Sequence, residues 1–417
     1  MQKLKQKIKN LLIWSQKYTQ TDNIYLFKGG GWLILGQTVA IVASFLLAIA
    51  FANLLNPATY GKYKYIISWA EIFGIFSIGG INVAISQAVA RGLEGSFYSG
   101  FKNKIKWGAL GSLAAMALAI YYFIRGDEAL SIPLFIAAMF LPLMKASYLY
   151  GNFLAGKKLF GIATKYDIVS KIIFLVSMVI ALYLTKNLLW LIVVYFASNT
   201  FLNYFFYLWT KYKFQPNKKE DPQTLSYGKH LSLSGIIGRG TNELDKVLLF
   251  NFIGPIELAV YSFAILIPNQ ITNILTNINS LAFPKLATKS QEEIKKNLMK
   301  KVWKLSFLVG IVMTVYIIIA PFIYKILFPQ YLTSIHYSQL VIFSLVIVPF
   351  SLLDTFFSAK MMKKEIYILR ITGVVRLILF VALIPLYGIL GAILALVGAK
   401  VFRSALLLFL FYRLKPR

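Results

Sequence analysis

Asn56-Pro57-Ala58-Thr59-Tyr60-Gly61-Lys62-Tyr63 recurs in the second half of the chain as Gly254-Pro255-Ile256-Glu257-Leu258-Ala259-Val260-Tyr261. Each copy closes one long apolar run and opens another. The shared pattern is a proline, a small residue four later (Gly61, Ala259) and a tyrosine two after that (Tyr63, Tyr261). Proline cannot continue a helix from behind, so the pattern predicts a short turn between two long helices. The register holds beyond the turn without a gap, with Glu71 opposite Asn269 and Ala84 to Arg91 opposite Ala282 to Lys289. The chain therefore reads as an internal duplication over about half its length.

Its composition sets the solvent. The 417 residues are 58% hydrophobic and 14% charged, with a formal charge of +29 and a mean hydropathy of +0.68. A water-soluble domain could not hide that much apolar surface. Runs of about 20 apolar residues recur throughout, each long enough to cross roughly 30 Å of hydrocarbon as a helix. At that depth a helix satisfies its own backbone, so a helical bundle is expected. Cysteine is absent, which removes disulfides, thiolate metal sites and cysteine nucleophiles. No metal site or cofactor is expected.

About twelve spans are predicted, at 31–52, 66–90, 105–124, 131–155, 163–184, 188–210, 229–253, 258–283, 303–324, 338–359, 366–386 and 388–411. They divide into a basic lead-in (1–30), an amino-terminal six-helix lobe (31–210), a linker (211–228), a carboxy-terminal six-helix lobe (229–411) and a tail (412–417). Lysine and arginine crowd alternate loops, such as Lys102-Asn103-Lys104, Lys211 to Lys219 and Lys295 to Lys304. The opposite loops hold only Lys62, Lys64, Arg125, Lys186 and Lys325. That asymmetry predicts cytoplasmic termini and explains most of the positive charge. Nucleic acid is not an expected partner, because no recognition motif accompanies the charge.

Loop topology does not account for charges inside the spans: Lys145, Lys171, Arg239, Lys246, Arg370, Arg376, Lys400 and Arg403, with the acids Glu71, Asp167, Glu243, Asp245 and Asp354. A charge at a span centre costs roughly 2.5 to 3.5 kcal/mol on insertion scales, so these side chains are expected to face the interior. Asp167 and Lys171 share a helix face, as do Arg239, Glu243 and Lys246, and mutual neutralisation is one reading of both sets. Lys145, Arg370, Arg376, Lys400 and Arg403 have no acid at helical spacing; they pair across helices, snorkel, or line a cavity that receives an anion. Arg376 and Lys400 lie too deep for easy snorkelling. The acids are ion-coupling candidates or salt-bridge partners for the surplus cations. In the repeat register Arg239, Glu243, Asp245 and Lys246 fall opposite Ile41, Phe45, Leu47 and Ala48, so charge is loaded on the second copy alone. Asn269, Asn273 and Asn277 form an amide stripe that could bind sugar hydroxyls or hold helices together. No nucleotide-binding, metalloprotease or nucleophile-elbow motif is present, and no enzymatic activity is expected.

The Leu55 to Tyr63 turn, the stretch Asn242-Glu243-Leu244-Asp245-Lys246-Val247-Leu248-Leu249 leading into Gly254-Pro255, Phe283-Pro284-Lys285-Leu286, and Pro385-Leu386-Tyr387-Gly388-Ile389-Leu390-Gly391-Ala392 carry a resemblance. In them the chain resembles the polysaccharide-flippase branch of the multidrug/oligosaccharidyl-lipid/polysaccharide (MOP) superfamily, the Wzx-type lipid-linked oligosaccharide flippases. The resemblance implies an all-α polytopic membrane protein of two pseudo-symmetric six-helix lobes, a V-shaped bundle like that of the MATE transporters. It also implies alternating access that moves a polyprenyl-diphosphate-linked oligosaccharide across a bacterial or archaeal cytoplasmic membrane. Expected partners are that cargo, membrane lipids and a polysaccharide polymerase or assembly complex. A cation-rich interior suits a diphosphate. The alternatives are a cation-coupled multidrug-type exporter, which a cationic cavity disfavours, and a lipid-linked peptidoglycan precursor flippase.

Overall fold

A computed structural model describes residues 23–276, 286 and 291–414. Most of the expected lead-in, Asn277 and the Phe283-Pro284-Lys285 stretch lie outside the described residues, as do residues 415–417 of the tail.

The described residues form helices joined by short turns. The first helix, α1 (Asn23–Leu54), runs without a break to the repeated turn. The second, α2 (Pro57–Gly74), begins on the proline itself. Proline is favoured there because its missing N–H is one that no helix start can satisfy internally. The Asn56 side chain caps the end, its Oδ1 accepting the Thr59 N–H at 2.8 Å. The predicted loop at 53–65 is therefore a two-residue turn, and Lys62 and Lys64 lie within a helix rather than outside it. In the second copy α10 (Pro255–Thr276) likewise starts on its proline, after Gly254 at φ +131°.

Between the copies run α3 (Ile81–Ala90), α4 (Ser96–Ile124), α5 (Glu128–Ser147), α6 (Leu149–Gly156), α7 (Phe160–Leu184), α8 (Leu188–Phe214) and α9 (Thr224–Phe252). After α10 come α11 (Gln291–Leu327), α12 (Ser334–Val341), α13 (Ile347–Ala359), α14 (Lys363–Leu369) and α15 (Ile371–Arg413). Among the described residues nine helices are long and apolar enough to cross a membrane. The last of these breaks at Gly388 (φ 57°, ψ −128°) and counts as two. Residues 57–90 supply another as a pair bent by 48°. With α9, whose charges Lys229, Arg239, Glu243, Asp245 and Lys246 lower its hydropathy, the predicted twelve are accounted for. The Gly388 break falls in the Pro385-Leu386-Tyr387-Gly388 turn that was expected between the last two spans. There Gly391 approaches the Leu383 carbonyl so closely that a Cβ would lie 2.0 Å from its oxygen.

Two compact units form. The first comprises residues 1–48, 73–185 and 189–234, and the second 49–72, 186–188 and 235–417. The first is packed around an aromatic cluster that includes Phe97, Tyr150, Phe153, Phe206 and Tyr207. Lipid tails are as apolar as leucine, so this packing gains van der Waals contact rather than escape from water. The linker is shorter than expected, 215–223, and is pinned within the first unit. The Gly95 N–H donates to the Lys219 carbonyl at 2.8 Å, the Asn217 N–H to Glu94 Oε2 at 3.1 Å, and the Asp221 N–H to Ser96 Oγ at 2.9 Å. Arg91 pairs with Asp221, and Lys157 with Glu94.

The second unit holds two apolar clusters, one around Leu353, Phe356, Phe357, Leu407 and Phe411 and one around Val309, Tyr316, Ile342 and Leu345. It also holds the tip of the first hairpin, and there the two repeat turns meet. A Cβ on Gly61 would lie 1.8 Å from the Pro255 carbonyl oxygen, so only glycine permits this approach. Tyr60 packs its ring 4.9 Å from that of Phe263, and Asn53 Nδ2 donates to the Leu327 carbonyl at 3.1 Å.

Candidate functional site

Inside the second unit α9 presents Asn242, Glu243, Asp245 and Lys246 within little more than one turn. Successive residues are about 100° apart on a helix, so these four side chains address several neighbours at once. Glu243 and Lys246, three apart, close an ion pair with Nζ 2.6 Å from Oε2, as their spacing predicted. Glu243 Oε2 also accepts from Ser68 Oγ of α2 at 3.0 Å. Lys64, one turn earlier on α2 and half-buried, lies within electrostatic reach of Glu243, Asp245 and Lys246.

Asp245 points elsewhere and is 1% exposed. Its Oδ2 accepts from the Tyr261 hydroxyl at 2.6 Å, and its Oδ1 accepts the Lys246 N–H at 2.9 Å. The tyrosine that marks the second repeat turn thus supplies the donor that a buried carboxylate needs. Asn242 completes the link to α15, its Oδ1 accepting from Arg376 Nη1 at 2.8 Å. The Arg376 guanidinium lies 5.0 Å over the Phe380 ring. Its Nε is buried and has no hydrogen-bond partner among the described residues. Arg376 in turn reaches Lys400 electrostatically, and Lys400 Nζ donates to Ser344 Oγ at 3.0 Å.

The result is one polar cluster inside a membrane-embedded unit. Among the described residues four cations (Lys64, Lys246, Arg376, Lys400) meet two carboxylates (Glu243, Asp245). Charges this deep are costly unless paired. Both acids are engaged and a positive surplus is left, with an unfilled guanidinium donor at Arg376. Chemically, the cluster can receive an anion.

Five of the predicted residues are brought together here: Lys246, Arg376, Lys400, Glu243 and Asp245. Arg403 is not free to meet an anion in the same way, because it bonds across helices. Its Nη2 donates to Asp354 Oδ2 at 2.5 Å and its Nη1 to Thr372 Oγ1 at 3.3 Å, joining α13 to both halves of α15. Arg370 is exposed, with its guanidinium 4.5 Å over Tyr367. Lys145, Asp167 and Lys171 belong to the first unit. There Lys145 lies against Gly74, where a Cβ would be 2.6 Å from its Cε. Asp167 Oδ1 accepts from the Tyr150 hydroxyl at 2.9 Å, and Lys171 is exposed. Glu71 is half-buried on α2, Asn269 is half-buried on α10, and Asn273 is exposed. The Arg239 side chain and Asn277 lie outside the described residues.

Sequence reasoning missed Lys64, Ser68, Asn242, Tyr261 and Ser344. Lys64 reads as loop when the span begins at residue 66. Pro57 as a first helical residue would have placed Lys64 two turns inside the helix.

The family described as polysaccharide biosynthesis protein matches residues 26–288, well over half of the chain. The chain belongs to that family. No curated protein sequence matches it. Among solved structures, it is similar to the lipid II flippase MurJ in an inward closed conformation, with a TM-score of 0.66 and 14% identity over 92% of this chain and 87% of that one. An inward-facing multidrug resistance MATE family transporter of the MOP superfamily matches with a TM-score of 0.60 and 11% identity, covering 90% of this chain and 94% of the other. A MOP superfamily transporter from Pyrococcus furiosus, described as having a binding pocket of reverse polarity, gives 0.56 and 12% over 93% and 95%. At these identities the likeness is one of fold. The span-length apolar helices, together with this family and fold, mark the chain as a multi-pass membrane protein.

Proposed function

We propose that the protein translocates a polyprenyl-diphosphate-linked oligosaccharide from the inner to the outer leaflet of a prokaryotic cytoplasmic membrane, with both termini on the cytoplasmic side. The observation that carries this reading is the positive surplus of the half-buried cluster around Glu243 and Arg376. A diphosphate brings negative charge into the membrane, and that charge is tolerated where cations and donors are already held in place. A cationic drug would meet repulsion in the same place. The lipid tail stays in the bilayer, and the sugar follows the diphosphate. No covalent bond is made or broken, so the protein acts as a transporter, delivering its cargo to a polysaccharide polymerase or assembly complex.

With the cell interior negative, each negative charge moved outward gains roughly 2.3 kcal/mol per 100 mV. Two charges on a diphosphate would thus supply about 4 to 5 kcal/mol without nucleotide hydrolysis. The test is flux of a fluorescent polyprenyl-diphosphate oligosaccharide in proteoliposomes under an imposed potential. Flux that rises when the cytoplasmic face is made negative supports the reading. No flux of any diphosphate lipid, together with uptake of an organic cation against a proton or sodium gradient, would reassign the protein as an exporter. Equal preference for a lipid-linked peptidoglycan precursor would redirect the cargo but keep the mechanism.

A further inference from the structure

At one end of the second unit, where the turn after α13, helix α14 and the last turn of α15 converge, lies a cavity of about 850 Å³. Among the described residues Lys360, Lys363, Lys364 and Arg413 line it, against the one carboxylate of Glu365. Its floor is of a different kind. Met362, Ile368 and Leu414 are partly buried there, packed on the apolar cluster of Phe357, Leu407 and Phe411.

The rim carries a third feature. Met361 is 82% exposed and sits at φ 52°, a left-handed backbone that side-chain-bearing residues rarely adopt. Its N–H donates to the Ser358 carbonyl and that of Met362 to the Phe357 carbonyl, a helix-ending pattern that glycine usually fills. A large apolar side chain is thus held outward at the mouth of a basic cavity. Beside it on α14, Tyr367 is exposed under the Arg370 guanidinium, an amphipathic pair suited to the headgroup level of a bilayer.

The cavity's lining shares no residue with the polar cluster described above, so the two are distinct. A cationic rim over an apolar floor at the end of a span fits neither a free inorganic anion, which has no use for the floor, nor a neutral lipid, which has no use for the rim. From this we infer a resident site for an anionic phospholipid: its phosphate sits among Lys363, Lys364 and Arg413, and its upper acyl segment lies on Met362, Ile368 and Leu414. The site is independent of the cargo.

The experiment is native mass spectrometry of the full chain in a neutral detergent, titrated with phosphatidylglycerol. Wild type is expected to retain it in preference to phosphatidylcholine. The triple variant K363Q/K364Q/R413Q should weaken binding by about tenfold or more. A control with the same change in net charge, K211Q/K213Q/K218Q, should leave binding unchanged. E365Q removes an opposing carboxylate and should strengthen binding, a gain that misfolding cannot imitate. Equal loss in the control, or no loss in the triple variant, overturns the site. Full displacement of the lipid by millimolar inorganic phosphate overturns it as a lipid site. Loss of polyprenyl diphosphate binding with phosphatidylglycerol binding intact would make the cavity a cargo site and overturn the inference also.

Discussion

The bond between the Tyr261 hydroxyl and Asp245 is the sharpest test of the polar cluster. Asp245 is 1% exposed and receives this donor at 2.6 Å. Neutral interhelical hydrogen bonds in a membrane average about 0.6 kcal/mol. A charged acceptor roughly doubles a hydrogen bond, so this one is expected to contribute about 1.2 kcal/mol. Tyr261→Phe removes the donor and leaves a buried charged oxygen short of one partner, at a cost of about 1–3 kcal/mol. Asp245→Asn keeps an acceptor for Tyr261 but discards the charge, and should cost less than Tyr261→Phe. In the background of Asp245→Leu, where no acceptor remains, Tyr261→Phe should be almost silent. A double-mutant cycle over Tyr261→Phe and Asp245→Leu is therefore expected to give a coupling of about 1 kcal/mol or more. Loss of folded protein on heating in detergent, at one fixed heating rate, reads it. For a chain of this length 1 kcal/mol corresponds to about 1–2 °C, less than the 2–4 °C of smaller domains. Strict additivity of the two changes would mean that the hydroxyl does not serve the carboxylate. The account of how Asp245 is tolerated at this depth would then fail.

Three further predictions address packing, pH and transport. Gly61→Ala places a Cβ where the Pro255 carbonyl stands at 1.8 Å; backbone must move, and folded protein in the membrane should fall sharply, whereas Gly310→Ala, with open space around it, should be neutral or slightly favourable. Normal amounts of Gly61→Ala protein would refute the close approach of the two turns. The Asp221 carboxyl is held below its ordinary value, first by the Gln223 backbone N–H and then by Arg91. A depressed folded value means stability that is full above the unfolded value near 3.9 and is lost as pH falls through the folded one. Asp221→Asn should flatten the fall in thermal midpoint below about pH 4, and an unchanged acid profile would count against the clamp. Arg376→Gln should lower flux of a diphosphate lipid by about tenfold or more while protein levels hold, whereas the exposed Lys171→Gln should transport as wild type; equal behaviour of the two would remove Arg376 from the site.

Much of the fold was legible because the signals are long. Apolar runs of span length, proline at the repeated turns and the Pro385 to Gly388 break each report on backbone that must satisfy itself in lipid. The ends of spans were less legible. Lys62 and Lys64 made residues 62–64 look like loop, yet a helix starting at Pro57 carries both, and Lys64 lies there within electrostatic reach of Glu243 and Asp245. Pairing was readable only at helical spacing, as between Glu243 and Lys246. Arg403 with Asp354, Arg376 with Asn242 and Ser68 with Glu243 are 49, 134 and 175 residues apart. No periodicity within one helix encodes such contacts. They follow from which helices become neighbours, and one sequence without its fold does not state that.

The duplicated tyrosine shows how one scaffold can carry an asymmetric site. Tyr63 and Tyr261 occupy the same place in the two copies and both are buried. In the first copy the residue opposite Asp245 in register is Leu47, and Tyr63 stands in a ring cluster, 4.8 Å from Phe51 and 6.2 Å from Tyr60. In the second copy the neighbouring helix bears Asp245, and the hydroxyl of Tyr261 is turned to it. A tyrosine serves both settings because its ring packs and its hydroxyl donates. Carboxylates and cations could therefore enter α9 without changing the turn that α2 and α10 share. The packing of Gly61 on Pro255 then holds Lys64 and Ser68 of the apolar copy against Glu243 of the charged one. The first copy contributes to the site chiefly through this hairpin tip, which is why residues 49–72 belong to the second unit.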